Sequence, residues 1–324
     1  MIIKITSDVV KNRRMLFAYG SAFAFIIAMV GVSDITQTHE FILPEFAAMA
    51  IAMWAFRDAN WLRKPFNICL APTITSLIGF VITQFPLMYL FKVALTLLAM
   101  LLVLAVLKSN FAPSLATGLL PLVTDAHDWT LVLIVFLLAL YFMVVVLVFQ
   151  LHKNLDHKQS QHVRPTTAFF IIMVAWLVIC WLCGLDQLAA IPPVIVVAYE
   201  AIHKREYGVK TAFKQGFSLT LSAMIGSFLY INIPSWPVVI ISDLLLMLLL
   251  SVTIRVRMPA LYAFPLFPFI LPGDTVHFLP LMTLLASIFT FTCLSIYKNR
   301  DAARSLITLK HDKEKMKSGS WPGQ

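Results

Sequence analysis

A chain of 324 residues that is 60% hydrophobic and 13% charged, with mean hydropathy +0.86, has too few polar groups to cover a water-soluble globule of its size. Its formal charge of +9 lies in short basic stretches between apolar runs, where it sets membrane topology and argues against nucleic acid as a partner. The four cysteines fall in or beside apolar runs, so they form no disulfide framework, and Cys180 and Cys183 read as small apolar residues despite their spacing.

Twelve apolar segments follow one another: 15–31, 42–56, 69–84, 86–107, 111–124 and 129–151, then 167–184, 189–202, 215–231, 237–254, 258–271 and 278–297. The first comes after Lys11, Arg13 and Arg14 and meets no small-residue cleavage site before Asp34, which predicts a retained anchor. The second is short and starts at Pro44, with Glu45 placed to complement a helix N-terminus. In the third, Ala71, Thr75 and Gly79 recur every four residues and present one face of small side chains. The fourth carries Lys92 among apolar residues. The fifth, again short, starts at Pro113 and contains Pro121. After the sixth comes a polar, basic stretch, 152–166.

The second series repeats the first. Segment 189–202 opens at Pro192 and Pro193 and closes on Glu200, which sits three and four residues before His203 and Lys204 and suits a helix-end ion pair. Ser218, Ser222 and Gly226 repeat the spacing of four, Asp243 lies in the next segment, and 258–271 carries Pro259, Pro265 and Pro268. Ser76-Leu77-Ile78-Gly79-Phe80 recurs as Met224-Ile225-Gly226-Ser227-Phe228, and Lys108 as Arg255, about 147 residues on. The pattern predicts an all-α polytopic membrane protein with about twelve membrane segments in two parallel six-segment repeats. Its parts are a first repeat (1–151), a cytoplasmic linker (152–166), a second repeat (167–297) and a basic cytoplasmic tail (298–324). With the N-terminus inside, every Lys and Arg except Lys92 falls in an inner loop or tail, which predicts a multi-pass protein of the plasma or bacterial inner membrane with both termini cytoplasmic.

Segments 42–56, 111–124, 189–202 and 258–271 are too short to cross a hydrocarbon core of about 30 Å as plain helices. Pro121, Pro265 and Pro268 also release backbone carbonyls that lipid cannot satisfy, so these segments belong at the protein centre. A charge inside an apolar run is costly and persists only with a partner or a purpose. The candidate solute-binding residues are therefore Lys92 and Asp243, expected to bracket a polar cavity, with Pro44, Pro113, Pro193 and Pro259 at the starts of the short segments and the hydroxyls of Thr75 and Ser222.

A Leu-Pro-Glu or Ile-Pro-Pro start, a Ser/Thr-rich Ile-Gly helix, a long apolar helix and then Ala112-Pro113-Ser114-Leu115-Ala116-Thr117-Gly118 resemble the HPP family of integral membrane proteins. The resemblance covers roughly 42–150 and 190–297. That family is named for a His-Pro-Pro tripeptide, which here reads Phe111-Ala112-Pro113 and Arg257-Met258-Pro259. Some members are associated with nitrite transport, so the resemblance implies a small anion as cargo. The expected function is a secondary transporter or channel for a small polar or anionic solute, working by alternating access between the repeats. A membrane-embedded assembly or scaffold protein without transport is the alternative, and solute flux in liposomes separates the two. His127 between Asp125 and Asp128 reads as a solvated turn rather than a metal site. With no Gly-rich phosphate loop, His-Glu-x-x-His or Gly-x-Ser-x-Gly, neither enzyme activity nor a cofactor or metal is expected. The partners expected are membrane lipids and a small solute, with a homo-oligomer left open.

Overall fold

A computed structural model describes residues 13–153, 155, 163–186, 189–204 and 207–317. Most of the linker and the last residues of the tail lie outside the described residues. Among those described, regular structure is helical. Helix α1 is Arg13–Thr36. Helix α2 starts with Pro44 at its first position, where a missing N–H costs nothing, runs over Pro44–Ala50 and continues as a π-turn, Ile51–Ala55. After a one-turn helix, Ala59–Leu62, come α3 (Pro65–Thr83), α4 (Tyr89–Val106), α5 (Pro113–Val123) and α6 (Thr130–Val148).

The same succession follows in α7 (Val163–Cys183), α8 (Pro192–His203), α9 (Val209–Asn232) and α10 (Trp236–Ile254). Helix α11 is broken into Ala260–Ala263, a 3-10 turn Phe264–Leu266 and Phe267–Ile270, because Pro265 and Pro268 cannot donate to the carbonyls one turn back. Helix α12 runs unbroken over Leu279–Lys317, so the first part of the basic tail extends the last membrane segment as helix.

Seven of these helices are long and apolar enough to cross a membrane: α1, α3, α4, α6, α7, α10 and the first part of α12. Helix α9 has 24 residues but is diluted by Lys210, Lys214, Gln215 and several hydroxyls. The seven spans keep much of their apolar surface outside the protein, with Leu98, Leu102, Leu133, Leu137, Leu245 and Leu249 all exposed. Only lipid suits such a surface. The chain is an integral membrane protein.

The short helices show the opposite distribution. Every residue of Pro44–Ala50, of Pro113–Leu122 and of Ala260–Ile270 is buried, and α8 is buried from Pro192 to Tyr199. Long helices therefore form a shell and short ones the centre. Across that centre α2 packs against α11 and α5 against α8, while on the outside α1 packs against α10 and α4 against α7. Glycine permits the closest contacts. A Cβ on Gly79 of α3 would overlap the Gly118 carbonyl of α5, and one on Gly226 of α9 would sit 2.6 Å from Pro265 Cα in α11. The small-residue faces thus clamp α3 to α5 and α9 to α11, each contact lying within one half of the chain rather than at the seam between halves.

Four left-handed residues form two pairs whose members lie 147 positions apart. Gln37 and Gly184 end α1 and the turn after α7, and Lys108 and Arg255 end the fourth helix of each half. Beside the last two, Lys64 Nζ donates to the Lys108 carbonyl and Lys214 Nζ to the Ile254 carbonyl (3.2 Å). An ammonium at a helix C-terminus satisfies carbonyls that have no intrahelical donor.

Candidate functional site

The four short helices enclose a cavity at their meeting point. Glu45 and Ala48 of α2, Pro113 and Ala116 of α5, and Pro193, Val196, Val197 and Glu200 of α8 line it, with Pro259, Ala260, Ala263 and Phe267 at α11 and Trp61 from the one-turn helix. Spacings of three, four and seven place these side chains on the inward stripe of each helix. The volume in which a water-sized molecule can be centred is about 20 Å³, enough for roughly one water. The lining is apolar apart from Glu45, Glu200 and the Trp61 indole, and no Lys, Arg or His contributes to it.

The two carboxylates differ in their surroundings. Glu45 is 4% exposed, and its Oε1 is buried without a hydrogen-bond partner among the described residues. Glu200 Oε1 accepts a hydrogen bond from Trp61 Nε1 at 2.9 Å, which ties the last turn of α8 to the first half of the chain. Glu45 therefore walls the cavity while its carboxylate also meets its own backbone N–H in the first turn of α2. Beside the expected helix-end attraction to Lys204, Glu200 makes a contact across the centre.

The prolines and the charges predicted for the site separate. Pro113, Pro193 and Pro259 line the cavity, and Pro44 precedes Glu45, which does so. Thr75 and Ser222 stand behind the short helices and hold them. Thr75 Oγ1 donates to the Ala71 carbonyl (2.8 Å) and lies 3.0 Å from Thr117 Oγ1 of α5. Ser222 Oγ donates to the Leu261 carbonyl (2.8 Å). That carbonyl would receive the N–H of residue 265 in a regular helix, and Pro265 has none. The hydroxyl on α9 replaces the missing donor.

Neither Lys92 nor Asp243 is among the residues that line the central cavity. Lys92 Nζ donates to the Thr83 carbonyl (2.8 Å), so this half-buried ammonium caps the C-terminus of α3. Asp243 is fully buried on α10, which packs against α1, α9 and α11, and both its carboxylate oxygens lack a hydrogen-bond partner among the described residues. The sequence shift that pairs Lys108 with Arg255 pairs Asp243 with Thr96, one helical turn beyond Lys92, which is why the two charges occupy different surroundings.

A second, wider cavity of about 600 Å³ opens where the loops around His39, Asp125 and Pro272 converge. Glu40, Asp125, His127 and Asp128 line it, and His127 Nε2 lies 3.5 Å from Asp125 Oδ2 in an exposed pair. Among the described residues no group of His, Cys, Asp or Glu is placed to hold a metal ion. Cys69 and Cys180 are buried and free, and Cys183 is exposed and free.

Over residues 7–162 the sequence matches the family model of the HPP transmembrane region. Over these residues the chain is similar to the HPP family. The HPP match spans α1 to α6 and so contains α2 and α5, two of the four helices around the cavity. No curated protein and no solved structure matches the chain.

Proposed function

We propose that this protein is a secondary transporter or channel for a small polar or anionic solute, and that the central cavity is the solute path. The observation that carries the reading is the cavity itself, built by four short helices that lipid could not shelter and walled by two helices from each half. Helices that stop inside the bundle free side chains and backbone for a solute while the long helices hold the shell.

The same proposal includes twelve membrane segments in two parallel six-segment repeats, 1–151 and 167–297, joined by 152–166. The reciprocal packing of α2 on α11 and α8 on α5, of α1 on α10 and α7 on α4, supports it. So do the left-handed residues repeated about 147 positions apart. Rocking of one repeat against the other would open the cavity alternately to each side, with both termini cytoplasmic in the plasma or bacterial inner membrane. No chemical conversion is involved.

Purified protein in liposomes tests this with nitrite, nitrate, formate and urea as probes, read by stopped-flow light scattering. At least one probe is expected to pass faster than through empty liposomes, and Ala116→Leu, which fills the cavity, is expected to abolish that flux while the protein still melts cooperatively. No flux for any of these probes favours the assembly role, and flux indifferent to the cavity-filling change places the path elsewhere.

A further inference from the structure

We propose that the central cavity binds a proton, carried by the carboxyl group of Glu45. The inference deepens the transport reading and rests on it for the movement of the proton, but not for its binding. Glu45 presents a buried carboxyl oxygen without a hydrogen-bond partner among the described residues to a cavity that lacks any basic side chain. A carboxylate in such a place needs a positive charge or must cease to be charged.

The cavity lining supplies no such charge. Helix α1, against α2, bears Tyr19 and Asp34, with Arg13 and Arg14 in its first turn; α11 bears Tyr262 and follows Arg257, and α5 bears no titratable group. Across the cavity α8 bears Tyr199, Glu200 and His203 and is followed by Lys204, which together with Asp58, before the one-turn helix, acts on Glu200 rather than on Glu45. The ligand that balances Glu45 is therefore a cation from solution. A metal cation such as calcium takes six to eight oxygens, whereas two carboxylates and room for roughly one water are present. A proton needs one oxygen and no volume.

Binding adds H⁺ to a Glu45 oxygen and gives a neutral carboxylic acid. Release returns the carboxylate and hands H⁺ to a water in the cavity, or through it to Glu200, held by Trp61 on the same wall. A solute that enters as an anion would meet two negative charges in the ionised cavity and fewer in the protonated one, which ties its entry to the proton.

Infrared difference spectra of the protein in lipid nanodiscs, recorded across a pH series in light and heavy water, test the assignment. A protonated-carboxyl component that persists to neutral pH is expected in the wild type, removed by Glu45→Gln, shifted by Glu45→Asp, untouched by Asp274→Asn, which changes an exposed carboxylate, and separate from the component of the fully buried Asp243, which Asp243→Asn removes. Glu45→Asp keeps the acid, so it remains informative if the glutamine variant fails to fold. The proposal falls if the band ignores both Glu45 changes. It falls equally if Glu45 stays ionised throughout and its carboxylate band moves when sodium is exchanged for N-methylglucamine, the mark of a bound metal cation. Titration of Glu45 in a protein that passes none of the flux probes overturns the transport reading alone. Flux without a Glu45 band overturns the proton alone.

Discussion

Ser222 illustrates how a polar residue in a membrane protein can serve a backbone. Its hydroxyl donates to the Leu261 carbonyl that Pro265 leaves bare. Ser222→Ala is expected to lower stability by about 1–2 kcal/mol, since a buried acceptor loses this donor. In a Pro265→Ala background the restored N–H reaches the same carbonyl, and the same serine change is expected to cost much less; thermal or denaturant unfolding in detergent of the four proteins of this cycle checks the coupling. Lys92 and Asp243 should behave in the opposite way. They touch different helices, so the effects of Lys92→Met and Asp243→Asn are expected to add within about 0.5 kcal/mol, and strong non-additivity in the same assay would show an unseen link.

The helices themselves depend on close approach. Gly79→Ala drives a methyl group into the Gly118 carbonyl, and Gly226→Ala one into the Pro265 backbone, whereas Gly20 has open space around the same position. The first two changes are expected to cost about 1–3 kcal/mol and Gly20→Ala close to nothing, measured as shifts in detergent melting curves. These clamps explain what could be read from sequence and what could not. Proline marks a helix start through its own missing N–H, so Pro44, Pro113 and Pro192 announce α2, α5 and α8 without tertiary information. The spacing of Ala71, Thr75 and Gly79 reveals a close-packed face but not its partner, which is the short helix of the same half. Buried charge was the weaker guide to the cavity, because a lysine stem can reach past several residues. Lys92 turned to the end of α3, while Glu45, hidden one residue after a routine proline start, reached the cavity.

For the molecule as a whole, the two ends differ in charge in a way that fixes a simple test. Glu40, Asp125 and Asp128 line the wide cavity at one end, and Lys64, Lys108, Lys214 and Arg255 gather at the starts and ends of helices facing the other. With Cys183 replaced to remove the exposed native thiol, an impermeant thiol reagent added to intact cells is expected to label Asp128→Cys and leave Ser160→Cys unlabelled until the membrane is permeabilised. Reversed labelling would invert the protein in the membrane, and labelling of both from outside would break the even count of crossings in the first half.

The crossed packing of α2 on α11 and α5 on α8 also bears on how the protein is made. A ribosome delivers the first six helices long before α8 and α11 exist, and until then the two short, proline-started helices α2 and α5 lack part of their cover. The nascent first half must therefore shelter them provisionally, and the moment of greatest vulnerability to membrane proteases falls before residue 270 has emerged. A chain halted after residue 162 would be expected to insert and yet be cleared from the cell, because its centre is completed only by the half still to come.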